Sequence, residues 1–239
     1  PRSRRALEDM TTALARRYGP GGSFWRSRPR LPRLPVRSWQ VWNEPNLPVY
    51  WPSGPDAASA CLAAGPALGA DLTVYGAIRT LHSGHYGNWA PNPAALIATL
   101  IASMRARDGR ITIAGFYDDV VPIAAADREA LRSAPVVDEA LRRELLLGST
   151  EGGDATVGER VMLPALNVRG LRAGAVGTAA ANAVPAEARA SLDFRLVANQ
   201  RVERVRDLVE AHARSQGYYV VHGEPTPEDR LAHERVLRI

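Results

Sequence analysis

The sequence contains no lysine and a single cysteine, Cys61, among its 239 residues. One cysteine cannot form an internal disulfide or a zinc cluster of several thiolates, and its Ala-rich surroundings favour a small structural residue over a nucleophile. No apolar run is long enough to span a bilayer, and Pro1-Arg2-Ser3-Arg4-Arg5 leads into no signal-like apolar stretch. The sequence therefore predicts a cytoplasmic protein that contacts no membrane.

Because lysine is absent, the basic charge is carried by arginine, and it is concentrated near the N-terminus. Residues 1–70 hold ten arginines against four acidic residues, whereas residues 71–239 hold 20 arginines against 21 acidic residues. A nucleic-acid-binding protein would spread its basic residues over a binding face and interleave aromatic residues among them. The excess lies instead in a leader rich in arginine and proline, so the sequence predicts a solvated surface or a displaced fragment, and no nucleic-acid partner.

The spacing of apolar residues predicts regular structure along most of the chain. An N-terminal extension is expected to contain a helix at residues 3–18, a loop and a strand at residues 36–42. From Asp71 the order is strand, helix, helical insertion, strand, strand, helix, strand. This order is typical of an α+β fold, a ferredoxin-like split βαβ sandwich with one antiparallel sheet, helices on one face and a helical insertion.

The individual elements of this sandwich follow from the spacing of apolar residues and from the glycines and prolines that interrupt it. Strands are predicted at residues 71–80, 110–113, 166–171, 187–197 and 218–221, and helices at 93–107, 126–147 (broken near Pro135) and 202–216. The predicted domain organisation is a partial segment at 1–58, a junction at 59–70, a folded domain at 71–222, and the start of a return to a missing domain at 223–239.

Three motifs place a histidine, an asparagine and an arginine in strand and turn contexts. They are Leu81-His82-Ser83-Gly84-His85-Tyr86-Gly87-Asn88, Asn182-Ala183-Val184-Pro185 and Ser191-Leu192-Asp193-Phe194-Arg195-Leu196-Val197. Histidine and asparagine donate hydrogen bonds to a carbonyl, and arginine grips a carboxylate with two parallel hydrogen bonds. Together the three side chains can recognise a carboxylate and an amide carbonyl.

In order and approximate spacing, these motifs resemble the dimerisation, or lid, domain of the zinc-dependent aminoacylase, carnosinase and carboxypeptidase-G peptidase superfamily. The resemblance covers about residues 66–239, and the segment from Gly109 to Asp118 is most similar to the dipeptidase branch. It implies a homodimer formed through the lid domain and a peptide or N-acyl-amino-acid substrate. The implied reaction is metal-assisted hydrolysis of the amide bond.

The resemblance also implies roles for individual residues. His82 would reach the partner subunit's site and polarise the scissile carbonyl; Asn182 would bind the substrate backbone, with His85 nearby. Arg195 would hold the substrate carboxylate in a fork that lysine cannot reproduce. Each residue also has a purely structural interpretation, because His82 and Asn182 are common turn residues and Arg195 alternates with Phe194 as a surface strand residue does.

Zinc belongs to the complete family enzyme, but this sequence supplies no ligands for it. The family's catalytic domain carries a His-x-Asp pair and a Glu-Glu pair, and neither occurs here. We therefore assign no metal ligand, expect no bound cofactor, and predict that this chain alone turns over no peptide.

A second motif points to a different class of enzyme. The segment Trp39-Gln40-Val41-Trp42-Asn43-Glu44-Pro45-Asn46 resembles the acid/base strand end of clan A glycoside hydrolases, in which Glu44 would be the general acid/base and Asn43 would contact the sugar. A retaining glycosidase needs a second carboxylate ~5–5.5 Å away, and its barrel needs ~250 residues. Two alternatives thus remain beside the amidohydrolase lid: a glycoside hydrolase centred on Glu44, and a non-catalytic dimerisation module.

Overall fold

The computed structural model describes residues 13–14, 16–18, 22–27, 66–133 and 136–239. The chain divides into two compact units, Pro1–Ala64 and Gly65–Ile239. In the first unit, residues 13, 14 and 16–18 are helical, and helix α1 spans Ser23–Arg26. The predicted strand at residues 36–42 and the motif that contains Asn43 and Glu44 lie outside the described residues.

The second unit contains both strands and helices. Its strands are β1 (Ala67–Tyr75), β2 (Leu81–His82), β3 (Ala165–Arg172), β4 (Ala183–Val184), β5 (Glu187–Arg195), β6 (Tyr219–Val221) and β7 (Val236–Arg238). Its helices are α2 (Ser83–Tyr86), α3 (Pro93–Ser103), α4 (Ala125–Ser133), α5 (Asp138–Glu144), α6 (Val157–Val161), α7 (Val202–Ser215) and α8 (Pro227–Ala232), with a 3₁₀ turn at Gly177–Ala179. Within the described part of the chain, no helix is long and apolar enough to cross a membrane.

The main sheet has five strands in the order β3-β5-β1-β7-β6. β1 and β5 pair antiparallel along their whole lengths, from Ala67 opposite Arg195 to Tyr75 opposite Glu187. β7 pairs antiparallel with β1 and parallel with β6. The structure therefore confirms the predicted α+β class with a mainly antiparallel sheet, and it adds a strand inside that sheet.

The hydrophobic core lies between one face of this sheet and the helices α3 and α7. Side chains that alternate along the strands meet the apolar stripes of the two helices. The fully buried members include Leu72, Val74, Ile97, Leu100, Leu192, Phe194, Val209 and Leu237. The opposite face of β1 and β5 carries polar side chains, among which the Ser191 hydroxyl donates to the Asp71 carboxylate over 2.6 Å.

Three predicted elements differ from the structure. β1 starts at Ala67 and ends at Tyr75, whereas the prediction was residues 71–80, because the chain turns away from the sheet at Gly76. The predicted strand at residues 110–113 is reduced to an isolated bridge between Arg105 and Ile111, with Gly115 in a left-handed conformation shortly after it. Helix α3 ends at Ser103 because the following residues turn back into that bridge.

Residues 223–239 form α8 and β7, although the sequence assigns them to a return toward a further domain. Thr226 caps α8, and the hydrogen bonds that its backbone and side chain donate to Asp229 lower the pKa of that carboxyl group. The Tyr75 hydroxyl donates to Glu224 over 2.8 Å, and the Arg230 guanidinium donates to the Gly76 carbonyl over 2.7 Å. These contacts tie the segment to the end of β1.

Candidate functional site

Two of the sequence motifs meet in a small two-stranded ribbon beside the main sheet. β2 and β4 pair antiparallel, with Leu81 opposite Val184 and His82 opposite Ala183. The Ser83 amide then donates to the main-chain carbonyl of Asn182 over 2.9 Å. The structure thus brings together His82 and Asn182, which lie about a hundred residues apart in the sequence. We call β2, α2 and β4 the ribbon end of the sheet.

The imidazole of His82 is held by the first turn of α2. Its Nδ1 accepts a hydrogen bond from the Gly84 amide over 3.1 Å, so His82 caps the helix. The Nδ1 atom of His85 lies 3.2 Å from the same atom. Because Nδ1 of His82 accepts from Gly84, neutral His82 carries its proton on Nε2, and His85 serves as the donor of the pair. The outcome is an exposed histidine whose Nε2–H is a hydrogen-bond donor.

Glycine at position 84 provides the space in which this imidazole lies. A Cβ at Gly84 would come within 3.0 Å of the His82 Cε1 atom and 3.2 Å of its Nδ1 atom. A Cβ at Gly87 would lie 2.5 Å from the Ser83 carbonyl oxygen. Contacts this short force a neighbouring group to move, so the two glycines of the motif act here through close approach.

Gly76 connects the ribbon end to the main sheet. Its amide donates to the Ala186 carbonyl over 2.8 Å, next to the start of β5. A Cβ at this position would lie 2.9 Å from the Pro93 side chain and 3.2 Å from the Pro185 carbonyl oxygen. The end of β1, the start of α3 and the end of β4 therefore meet at a point where only hydrogen fits.

An aromatic row extends from His82 along the ribbon end, and the sequence motifs did not reveal it. Ring centroids are 4.9 Å apart for His82 and His85, 6.4 Å for His85 and Tyr86, and 6.0 Å for Tyr86 and Trp89. Trp89 is 80% exposed. The available signal was the spacing of Tyr86 and Trp89 by three residues, which places two side chains on one side of a helical turn.

Arg195 lies at the other end of the sheet. It is the last residue of β5 and stands opposite Ala67 in β1 and Ala165 in β3. Its Nε donates to the Asp193 carboxylate over 2.7 Å, so Arg195 forms an ion pair within its own strand. The nine residues of β5 span roughly 27 Å at ~3.4 Å per residue. One copy of the chain therefore does not bring Arg195 to His82.

The described residues do not fit a catalytic zinc site. Among the ranges that the structure describes, no group of three or more His, Cys, Asp or Glu side chains could hold a metal ion. Structural and catalytic zinc sites use at least three protein ligands. What the described site residues offer is hydrogen-bond donors at the ribbon end and the guanidinium of Arg195 at the other end of β5.

A known protein family matches the second unit of the chain. The family model of the peptidase dimerisation domain matches residues 67–219, from the first residue of β1 to the first residue of β6. That range contains His82, Asn182 and Arg195. It excludes the segment around Glu44, and the comparisons lend no support to the resemblance of that segment to glycoside hydrolases, which stays a prediction.

Individual relatives are peptidases that are longer than this chain. The Cys-Gly metallodipeptidase dug1 of Schizosaccharomyces pombe is 24% identical over 144 residues, which are 59% of this chain and 30% of that protein. An M20 family metallo-carboxypeptidase from Sulfolobus solfataricus has a TM-score of 0.52 and 28% identity, over 64% of this chain and 41% of that chain. Human carnosine dipeptidase 1 has a TM-score of 0.56 and 18% identity, over 71% and 34%. The chain thus spans less than half the length of each of these relatives.

Proposed function

This chain belongs to the peptidase dimerisation domain family, and on that premise we propose that it is the lid and dimerisation part of a metal-dependent amidohydrolase. The proposed substrate class is a dipeptide or an N-acyl amino acid. The observation that carries the proposal is the ribbon, which holds His82 beside Asn182 with Nε2–H as a donor. A positioned donor of this kind stabilises the charge that develops on a carbonyl oxygen when an amide bond is attacked.

The proposed site takes residues from two copies of the chain. A dipeptide spans only ~7 Å, whereas β5 separates Arg195 from the ribbon end of the same copy by roughly 27 Å. His82 and Asn182 of one copy would therefore act on the same substrate as Arg195 of the other. Asp193 accepts from Nε of Arg195 and so orients the guanidinium that receives the substrate carboxylate.

The open edge of β3 supports dimerisation through this strand. β3 is the terminal strand of the sheet, and most of its side chains are exposed. A shallow apolar groove runs between β3 and α3, lined by Ala98, Ile101, Ala102, Arg105, Val168 and Leu171. Two β3 strands that pair antiparallel about a two-fold axis would satisfy both edges and cover both grooves.

Sedimentation velocity tests the dimer directly. We expect the full chain to sediment as a dimer and Val168→Asp to sediment as a monomer. In the symmetric dimer the substitution would bring the aspartates of the two copies close together, and it would place hydrated carboxylates in the apolar groove. The matched control is Leu231→Asp on α8, which also replaces an exposed apolar side chain, 89% exposed, away from β3. A dimer that persists in Val168→Asp, or a wild-type chain that is a monomer at all concentrations, contradicts the proposal.

Nuclear magnetic resonance tests whether His82 at the ribbon end and Arg195 at the other end of β5 bind the same ligand. Titration of the dimer with an N-acetyl amino acid is expected to shift the ring nitrogens of His82 and the Nε resonance of Arg195 together, and the monomeric Val168→Asp variant is expected to lose that joint response. The alternative of a non-catalytic dimerisation module predicts a dimer in which neither resonance responds.

A further inference from the structure

An exposed leucine in the helical insertion adopts a backbone conformation that favours glycine. The Leu147 amide donates to the Arg142 carbonyl over 2.9 Å, and the Leu146 amide donates to the Arg143 carbonyl over 3.2 Å. This pair of hydrogen bonds closes α5 and puts Leu146 at the position where helices usually place glycine. Its φ is +54°, and the residue is 92% exposed. Leu146 is thus unfavourable twice, through its backbone and through its apolar exposure.

Leu146 is the tip of a continuous apolar projection. Its neighbours Leu145 and Leu147 are each 48% exposed. Single exposed apolar side chains are normal on protein surfaces, but three in a row around a strained position indicate a surface that is covered in an assembly. We call Leu145–Leu147 the leucine knob.

The insertion that carries the knob is attached to the proposed dimer edge. Arg105, which lines the groove, donates to the Leu166 carbonyl at the start of β3 over 3.1 Å and pairs with Glu151 of the insertion. The insertion ends immediately before β3 begins at Ala165. It therefore lies at the beginning of the edge strand, whereas the chain leads from the end of that strand, Arg172, to the ribbon end.

A two-fold axis brings these two regions of different copies together. When two β3 strands pair antiparallel, the beginning of one strand lies opposite the end of the other. The insertion of one copy then faces the ribbon end of its partner. The stretches that flank the ribbon end expose apolar side chains, since Ile78, Trp89 and Val176 are 87%, 80% and 85% exposed.

The charges of the two regions are complementary. Residues 136–163 of the insertion contain six acidic residues and three arginines. Residues 76–92 and 172–186, which form and flank the ribbon end, contain two arginines, two histidines and no acidic residue. A net negative insertion thus meets a net positive ribbon end, which favours this pairing over contact between two insertions.

We infer that the leucine knob of one copy docks on the exposed apolar side chains of Ile78, Trp89 and Val176, which flank the ribbon end of a second copy of this chain. The inference rests on the proposed dimer and extends it to a second contact region. In that arrangement the knob braces the short ribbon that holds His82 of the partner.

Replacing Leu146 by glycine separates its local role from its docking role. Glycine fits the left-handed position, so the thermal midpoint of the monomer, measured at low protein concentration, is expected to stay unchanged or rise. Because two buried leucines are lost from one symmetric dimer, the dimer dissociation constant is expected to rise about 100-fold. Controls are Asn199→Gly, at a second exposed non-glycine residue with φ of +72°, and Leu231→Ala, at an exposed leucine on α8.

The outcomes distinguish the inference from the dimer on which it rests. If the dimer dissociation constant is unchanged in Leu146→Gly while Val168→Asp is still monomeric, docking of the leucine knob is contradicted. The proposed dimer through β3 is then unaffected. An equal loss of affinity in Leu146→Gly and in the two controls also contradicts docking of the knob, because the effect would then be general. A wild-type chain that never dimerises overturns both.

Disulfide trapping tests the partner surface. In a chain whose Cys61 is replaced by alanine, Leu146→Cys and Val176→Cys are introduced in separate copies, and the two proteins are mixed under mild oxidation. We expect a crosslinked heterodimer, and we expect little crosslink when Leu231→Cys replaces Leu146→Cys. Preferential crosslinking of Leu146→Cys to itself would show that the knob meets the other insertion, and it would overturn the assignment of the ribbon end as its partner.

Discussion

The ribbon end and the Arg195 end of the sheet hold the two halves of the proposed site, and they are built differently. At the ribbon end, a two-residue strand and a four-residue helix place His82 on the surface, fixed by backbone hydrogen bonds and by the space at Gly84. At the other end, Arg195 belongs to a strand that is paired on both sides, and its neighbour Phe194 is fully buried. Changes at the ribbon end should therefore alter hydrogen-bond geometry with little effect on stability, whereas the Arg195 end is coupled to the core.

The largest expected effect is at the Arg195 end. Phe194→Ala should lower the free energy of unfolding by ~3–5 kcal/mol, because it leaves a cavity beside Phe116, whose ring centroid lies 6.0 Å away. Trp89→Ala at the ribbon end should change it by less than ~0.5 kcal/mol, since Trp89 is 80% exposed. Urea denaturation of both variants measures the contrast, and equal losses would show that the two ends are not built differently.

An intermediate effect is expected where the ribbon end joins the sheet. Gly76→Ala should destabilise the fold by ~1–3 kcal/mol, because its Cβ would meet Pro93 and the Pro185 carbonyl. Gly69→Ala, in the same strand, is the matched control, since a Cβ there has nothing within 4 Å. Alanine at position 69 should be neutral or slightly stabilising. If the two variants unfold at the same urea concentration, Gly76 is not a packing constraint.

A smaller, pH-dependent effect on stability is expected from a hydrogen bond between α3 and α7, which belongs to neither end of the sheet. His212 of α7 donates from Nε2 to the Ser103 hydroxyl of α3 over 2.8 Å, and that hydroxyl donates to the Leu100 carbonyl. Burial lowers the pKa of His212. The unfolded chain therefore takes up the proton first, so the contribution of neutral His212 is present above the unfolded value of ~6.5 and is lost as the pH falls below it.

The measurement for this hydrogen bond is the free energy of unfolding between pH 8 and pH 5 in wild type and in His212→Gln, which keeps a donor but does not titrate. The wild-type curve should fall more steeply on the acid side, and the amide protection factors should fall at both ends alike. Parallel curves for the two proteins would remove His212 as the cause.

The smallest effect on stability, and the most local one, is expected from Gly84→Ala. The new methyl group would press on the His82 imidazole at 3.0 Å, while alanine is a better helix residue than glycine. We expect unfolding to change by less than ~0.5 kcal/mol but the ring nitrogen shifts of His82 to change clearly. Gly223→Ala, where a Cβ has nothing within 4 Å, should leave those shifts in place.

The parts of the fold that were predictable from the sequence are those with strong local signals. Pro93 predicts the start of α3, and the helix begins at that residue, with Asn92 as its cap. The alternation from Glu187 to Arg195 gives β5 with its buried and exposed faces. By contrast, Val236–Arg238 has only three residues and joins the sheet through β1 and β6, which are distant in the sequence. A segment so short has no period from which to recognise it.

The candidate site divides along the same line. The sequence alone determined the residue types, because a histidine, an asparagine and an arginine with these neighbours carry the resemblance to the family, and the comparisons confirm that family. It also determined the α+β class, since the spacing of apolar residues and the positions of glycine and proline are local properties of the chain. Only the tertiary structure decided that His82 meets Asn182 and that Arg195 lies at the far end of β5, because strand pairing and register are set by burial across the whole sheet.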